Sequence, residues 1–500
     1  MLYTIVPSDM KELEARYMAQ YHVPGALLME HAAQGVAEAL ARYAPKGGTV
    51  LFVCGSGNNG GDGYAAARLW MTRGGHSLVW ELDSAARGDA LMNRQLLLEL
   101  GCEIVTLRDA PDRLPICDAV CDAMFGTGLA RAVSGLAADV IALINRSGKP
   151  VVAVDIPSGL DGESGLALGQ AIRACETVTF HRIKQGLLLR DGACYAGKIT
   201  VHPILIPASY ILQEEKERLA VLTPQELPRV LPRRPADAHK GTFGRVVLFA
   251  GSVGMAGAAA LCARAAIRAG AGLTTILCRA SILSVLQVLA PGAMCVPLPE
   301  CEGSLTPEAT EIARRTLEHA DAAAFGCGVG QREDLLPVMD AFDHSPCPVV
   351  WDADGLNLKA RCDQPFRPQD YCTPHPAEAA RLLHTDTQHV LAQPLACLAA
   401  LGERCGHVLL KGARTLMRSD HRLAVNMVGT PALAKGGSGD VLTGILTALV
   451  ARRFGDGLIT MQTAALVHGM AGIRAERMAG ENCVTPEMLV DCVRLDDSGL

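Results

Sequence analysis

Apolar runs of four to seven residues, most ending in glycine, asparagine or aspartate, alternate along this chain with stretches whose apolar residues recur at helical spacing. Three of them stand close together: VLFVCGSGNNGGDG at 50 to 63, AVCDAMFGTG at 119 to 128, and VVAVDIPSG at 151 to 159. Buried parallel strands read as such runs, and the carboxyl ends of parallel strands face one crevice where ligands bind. Asn59, Asp122, Asp155 and Ser158 are therefore predicted to line one pocket. Ahead of these runs, residues 8 to 44 predict two helices, the first capped by Ser8 and the second opened by Pro24. Further helices are predicted over YAAARLWMTR at 64 to 73 and DALMNRQLLLEL at 89 to 100. Strands alternating with helices imply an α/β fold with a mostly parallel sheet covered on both faces.

From Gln213 to Ala238 the pattern lapses into EEKER followed by TPQELPRVLPRRPAD, rich in charge and proline. This marks a linker, placed at 216 to 238 between a first domain at 1 to 215 and a second at 239 to 500, the second starting as early as about 223. In the second domain RVVLFAG, GLTTILC, AAAFGCGVG, PVVWDADG and HVLLKGART again read as strands ending in turns. It too is predicted to be α/β. The length, 500 residues, suits about two to four domains of ordinary size.

Composition narrows the function classes. Hydrophobic residues make up 49% and charged residues 20%, ample material for packed cores and far from a disordered composition. The net charge of -6 comes without any Lys/Arg block, so nucleic acid is not an expected partner. No apolar stretch reaches the roughly 18 to 20 residues that span a bilayer, and the N-terminus lacks a signal core, so no membrane association is expected and the predicted location is cytoplasmic. The 18 cysteines are scattered without a C-x-x-C pair, which suits buried thiols in a reducing compartment.

A carboxylate at the end of a buried strand is costly unless paired, hydrogen-bonded or bound to a cation. Asp122 and Asp155, joined by Asn59 and Ser158, form a set of hard oxygen donors without Cys or His, which suits an alkali or alkaline-earth ion better than a helix-capping role. The Gly-rich turn at 55 to 63 offers an anion cradle, but without the Lys-Ser or Lys-Thr of a Walker loop. In the second domain GGSGDVLTG at 436 to 444 sets glycines directly before an apolar helix. Amide hydrogens from Gly437 to Gly439 would stabilise charge developing in phosphoryl transfer, and Asp440 would accept a proton from an attacking hydroxyl. His375 stands between two prolines, and Lys411 ends a strand where it suits a nucleotide phosphate.

These motifs are recognisable together. GNNGGDG, FGTG and DIPSGLDG resemble the epimerase domain of the bifunctional NAD(P)H-hydrate repair enzymes, while HKGTFG, WDADGLN, TPHP, LLKG and GGSGDVLTG resemble their dehydratase domain. The resemblance implies a Rossmann-like three-layer sandwich followed by a ribokinase-like α/β domain. It implies that Asn58, Asn59, Gly60, Gly61 and Asp62, with Gly126, Thr127, Gly128, Leu129, Ala130, Arg131 and Ala132, contact the dinucleotide, and that Asp155 meets the damaged ring. Asn59, Asp122 and Ser158 would hold K+. In the second domain it assigns Ala258, Gly330, His375 and Asp440 to the hydrated dinucleotide, and Lys411, Gly412, Ala413, Arg414, Thr415 and Gly439 to the adenine nucleotide. The implied catalytic groups are Asp155 and Asp440, the implied small molecules are NADHX, NADPHX and ADP as co-substrate, with Mg2+ in the dehydratase domain, and a homo-oligomer is the expected assembly.

Departures from the family pattern are Cys327 where proline is common, Ala377 where glycine is common, and PALAK in place of PGMAT or PGMAS. None removes a proposed catalytic group. Two rival readings fit these motifs less well: a ribokinase-like kinase for a small molecule, and a first domain reduced to a non-catalytic nucleotide-binding or interaction module.

Overall fold

Continuous apolar runs such as VLFVC and VVAV leave no polar face, so each strand must be covered on both sides, and helices supply the cover. The computed structural model describes residues 2–83, 85–210 and 218–495. The chain divides into one unit of Tyr3–Arg218 and another that holds Leu219–Leu500.

In the first unit seven strands are β1 (Thr49–Cys54), β2 (His76–Glu81), β3 (Ile104–Thr106), β4 (Ala119–Ala123), β5 (Val151–Val154), β6 (Glu176–Phe180) and β7 (Lys198–His202). They lie in the order β3-β2-β1-β4-β5-β6-β7, every pair parallel. The order reverses between β1 and β4, the switch point at which a doubly wound sheet opens a crevice. Alternate side chains sort to opposite faces: Val50, Phe52 and Cys54 join one core, Leu51 and Val53 the other. Helices α1 (Pro7–Tyr21), α2 (Gly25–Leu40), α3 (Asn58–Thr72) and α4 (Gly88–Glu99) contribute to the first core, and α5 (Leu136–Arg146) to the second, through Val140, Ile141, Leu143 and Ile144.

Two local expectations are corrected. The residue before α1 is Val6, which makes no side-chain cap, and Ser8 sits inside the first turn. Helix α3 starts at Asn58 rather than near Tyr64, so the glycines belong to the helix. Their small size explains it: a Cβ on Gly60 would stand 1.8 Å from the Gly55 carbonyl oxygen, and one on Gly63 would stand 2.5 Å from the Ala123 Cβ. Close packing of the helix on the strands outweighs glycine's low helix propensity, about 1 kcal/mol per residue.

The second unit is built on β8 (Ala220–Val221), β9 (Arg245–Phe249), β10 (Leu273–Arg279), β11 (Met294–Leu298), β12 (Ala322–Phe325), β13 (Val349–Trp351), β14 (Tyr371–Cys372), β15 (His407–Leu410), β16 (Leu416–Ser419) and β17 (Arg422–Val425). Their order is β8-β17-β16-β15-β14-β13-β12-β9-β10-β11. The pairings from β15 across to β11 are parallel, while β16 is antiparallel to both its neighbours. Here the order reverses between β9 and β12. Helices α6 (Ala256–Arg268), α7 (Pro376–Leu382) and α8 (Ser438–Arg452) carry site residues. Helix α8 lies tight against α6, because a Cβ on Gly444 would stand 2.1 Å from the Cys262 carbonyl oxygen.

The segment expected to be a linker is partly structural. Residues 216 and 217 lie outside the described residues, but Ala220 pairs with Ala424, and Leu219, Leu222 and Leu227 are buried. Thr223 and Glu226 form a reciprocal capping box. Only the arginine- and proline-rich residues 232–237 that follow are exposed throughout.

Candidate functional site

The first site is a cleft of about 1090 Å³ over the switch point of the first sheet. Among the residues expected there, Asn58, Asn59, Asp62, Gly126, Thr127, Gly128, Leu129, Ala130, Arg131 and Asp155 line it. Gly60 and Gly61 are buried within α3, Gly61 against Met29 and Ala90, and Ala132 is exposed outside the lining.

Asp122 lies inside β4, in register with Val53 and Ala153, and is fully buried. Its carboxylate accepts from the Ser158 hydroxyl at 2.6 Å and the Ser158 amide at 2.8 Å, while the Phe125 amide donates to the same hydroxyl at 2.8 Å. Burial pushes the Asp122 carboxyl up to about 6, and the bonds from Ser158 only partly offset this. Among the described residues no cationic side chain pairs with it, and the buried amide nitrogen of Asn59 has no hydrogen-bond partner. A buried carboxylate with neutral oxygen donors and no counter-ion is a donor set that fits a monovalent cation.

Asp155 is held differently. Its backbone adopts φ 62, a left-handed conformation uncommon outside glycine, at the turn after β5. The turned carboxylate accepts from the Thr179 hydroxyl and the Phe180 amide, each at 3.1 Å, and from the Lys184 ammonium at 2.5 Å. Lys184 is 1% exposed and also donates to the Phe180 carbonyl at 2.9 Å. Sequence reasoning missed this lysine: HRIKQG carries no spacing signal, and its position is fixed by tertiary pairing of Ile5 with Lys184. Asp62 is pushed well above the usual carboxylate range by burial and by the neighbouring charges of Asp155 and Glu14.

In the second unit the loops after β9 and β12 are tied together, with the Gly251 amide donating to the Cys327 carbonyl and the Ser252 hydroxyl to the Gly328 carbonyl, both at 2.8 Å. Helix α8 starts beside them with Gly437 as its cap at φ 92, so Gly439 and Asp440 occupy its first turn. Lys411 lies at this tip: a Cβ on Gly439 would be 3.6 Å from its ammonium nitrogen. That ammonium donates to Asp352 at 2.6 Å and stands 3.8 Å from Glu378. Burial works against its charge, yet Asp352 and Glu378 hold its pKa above the usual lysine value. Asp352 is 1% exposed and also accepts from the Thr443 hydroxyl of α8 at 2.6 Å, bracing lysine and helix together. Burial, then repulsion from Asp352, raises the Asp440 carboxyl to about 6.

His375 caps α7: the Ala377 amide donates to its Nδ1 at 3.1 Å, and Glu378 closes the box on the His375 amide at 2.8 Å. Burial and the nearby charges of Lys411 and Arg381 lower its pKa. Gly330, at φ 81, donates its amide to Asp354 at 2.8 Å, and Ala258 lies in α6 facing Gly328. Gly412 and Ala413 form an exposed turn, from which the Arg414 guanidinium reaches back to the Met427 carbonyl at 2.6 Å and Thr415 to the Gly412 carbonyl at 3.4 Å. The sequence reading assigned no role to Asp352 or Glu378, although Asp352 carries the same strand-end signal as Asp122.

Comparison with known proteins agrees with this division. Residues 25–186 match the family model of the YjeF-related protein N-terminus, and residues 246–494 match that of NAD(P)H-hydrate dehydratase. The bifunctional NAD(P)H-hydrate repair enzyme of Moorella thermoacetica is 35% identical, over 98% of this chain and 96% of the relative. That of Escherichia coli is 36% identical, over 81% and 76%. A solved ADP/ATP-dependent NAD(P)H-hydrate dehydratase from Bacillus subtilis, co-crystallised with ATP and Mg2+, is 26% identical over 54% of this chain and 95% of its own, with a TM-score of 0.48. With a first unit of one family type, a second of the other, and nearly the full length of the Moorella thermoacetica relative covered, the chain belongs to the family of bifunctional NAD(P)H-hydrate repair enzymes.

Proposed function

We propose that the two units repair hydrated NADH and NADPH in turn, the first interconverting the R and S epimers and the second dehydrating the S epimer at the expense of ADP, with release of AMP and phosphate. The observation that carries the second half is the meeting of Asp440, Gly439 and Lys411 at the tip of α8. In this reading Asp440, raised to about 6, takes the proton of the substrate hydroxyl while that oxygen attacks the terminal phosphoryl group of ADP. The Lys411 ammonium and the amides at the helix tip stabilise the charge that develops. Phosphate is a far better leaving group than hydroxide, so its loss restores the dihydronicotinamide. Ala258, Gly330 and His375 are assigned to the dinucleotide, Lys411 to Thr415 with Gly439 to the nucleotide, and Mg2+ enters with the ADP phosphates.

In the first unit the cleft residues Asn58 to Asp62 and Gly126 to Ala132 are assigned to the dinucleotide, with Asp155 at the ring. The hydroxyl leaves a carbon next to the ring nitrogen, whose lone pair stabilises the resulting cation, so mild proton transfer suffices. In this reading Asp155, oriented by Lys184, Thr179 and the Phe180 amide, would stabilise that cation. Asn59, Asp122 and Ser158 would hold a potassium ion, which when bound neutralises the buried Asp122 carboxylate and steadies the adjoining loop. A cytoplasmic location, in keeping with 18 free thiols, and a homo-oligomeric state belong to the same proposal.

Recovery of dihydronicotinamide absorbance tests this. Pure S epimer with ADP should regain it, and R epimer should follow once the first unit has converted it. A stable phosphorylated product without NADH would overturn the reading in favour of a small-molecule kinase.

A further inference from the structure

The cleft of the first unit has a wall that no assigned residue occupies. Pro7, Met10, Lys11, Glu14 and Met18 of α1 line it, the spacing of one helical face, and Glu14 is the single carboxylate of that helix among the lining residues. The wall is fixed in place, since the Ile5 amide donates to the Ile183 carbonyl and the Gln185 amide to the Ile5 carbonyl, both at 2.9 Å, clamping the lead into α1 beside Lys184. Glu14 also precedes the residues matched by the family model, which begin at 25.

We infer that Glu14 is a catalytic acid and base of epimerisation, delivering a proton to the leaving hydroxyl and recovering one from the returning water. This rests on the epimerase reading of the first unit. As the carbon–oxygen bond breaks, the Glu14 proton passes to the oxygen, both bonding electrons leave with it as water, and the ring nitrogen lone pair forms the C=N bond of the cation. Water then adds to either face, the carbon–oxygen bond re-forms, and the surplus proton returns to the Glu14 carboxylate. Nothing is oxidised or reduced.

The surroundings divide the labour. Asp155 has its own cation in Lys184, whereas Glu14 has no ion pair within the described cleft. Burial lifts its carboxyl to about 7, Lys184 opposing the rise and Asp155 adding to it. A group half protonated near neutrality can act in both directions. The other charged groups that face the cleft are Lys11 on α1 itself, Asp62 on α3, Asp89 on α4 and Arg131 in the loop after β4.

The test follows R-to-S conversion of NADHX by the full-length chain, without ADP, in wild type, Glu14→Gln and Glu14→Asp across roughly pH 5 to 9. General acid–base catalysis supplies about 10²- to 10⁴-fold, so Glu14→Gln should lose at least about 100-fold in kcat with KM nearly unchanged and lose the pH dependence centred near 7. Glu14→Asp should recover part of the rate. Wild-type turnover in Glu14→Gln would overturn the inference, as would equal losses in both variants with a raised KM, the signature of a structural role. Failure of the wild type itself to convert R to S, while S epimer is still dehydrated with ADP, would instead remove the epimerase reading on which the inference stands.

Discussion

The two units build their candidate sites at the same point of a doubly wound sheet and surround them with different charged partners. Around the first cleft stand Glu14, Asp62, Asp122 and Asp155 against the buried Lys184, an acidic setting that favours a cationic ring intermediate. At the second, Asp352, Glu378 and Asp440 gather around the Lys411 ammonium, and the start of a 15-residue helix adds the partial positive charge that would favour a migrating phosphoryl group. The lesson is that the sheet supplies position only. What differs is which partners are brought to the strand ends, a buried lysine on Asp155 in one unit and a lysine beside a helix tip in the other.

Changes confined to one unit sharpen this contrast. The largest expected effect is on stability: Lys184→Met takes the cation from the half-buried Asp155 and should cost about 3 kcal/mol, the low end for a broken buried pair, read as an early unfolding transition of the first unit in denaturant. In the second unit Gly444→Ala forces α8 away from α6 and should cost about 1–3 kcal/mol, with dehydration impaired through the displaced tip and epimerisation retained. The smallest effect is in pH dependence. Asp440 serves as a base only when deprotonated, so kcat/KM for dehydration should fall about tenfold per pH unit below 6 and level off above it. A flat profile through pH 5 to 7 would break the assignment of Asp440 as the base.

Much of this was legible in the chain. Apolar runs ending in glycine or aspartate located the strands, because a strand covered on both faces has no polar alternation to obscure it. Asn59, Asp122, Asp155 and Ser158 gathered as their strand ends required, although Asp122 and Ser158 lie beneath the cleft and not in its lining. What escaped depends on distant packing. Helix α3 starts earlier than its sequence suggests, because its glycines signal a loop whereas close contact with Gly55 and Ala123 makes them helical. Lys184 and Glu14 gain their meaning from the pairing of Ile5 with Lys184, nearly 180 residues apart. The charged, proline-bearing stretch after Arg218 reads as linker, yet three leucines and one strand bridge draw its first part into the second unit.

The central claim is that each unit holds a complete and separate site. Epimerisation of R-NADHX and ADP-driven dehydration of S-NADHX, measured side by side in Asp155→Asn and Asp440→Asn, address it directly. Asp155→Asn should lose about 100-fold in the first reaction through lost stabilisation of the cation and keep the second, and Asp440→Asn should keep the first and lose about 1000-fold in the second. Undiminished dehydration in Asp440→Asn, or loss of both reactions in either folded variant, would contradict it.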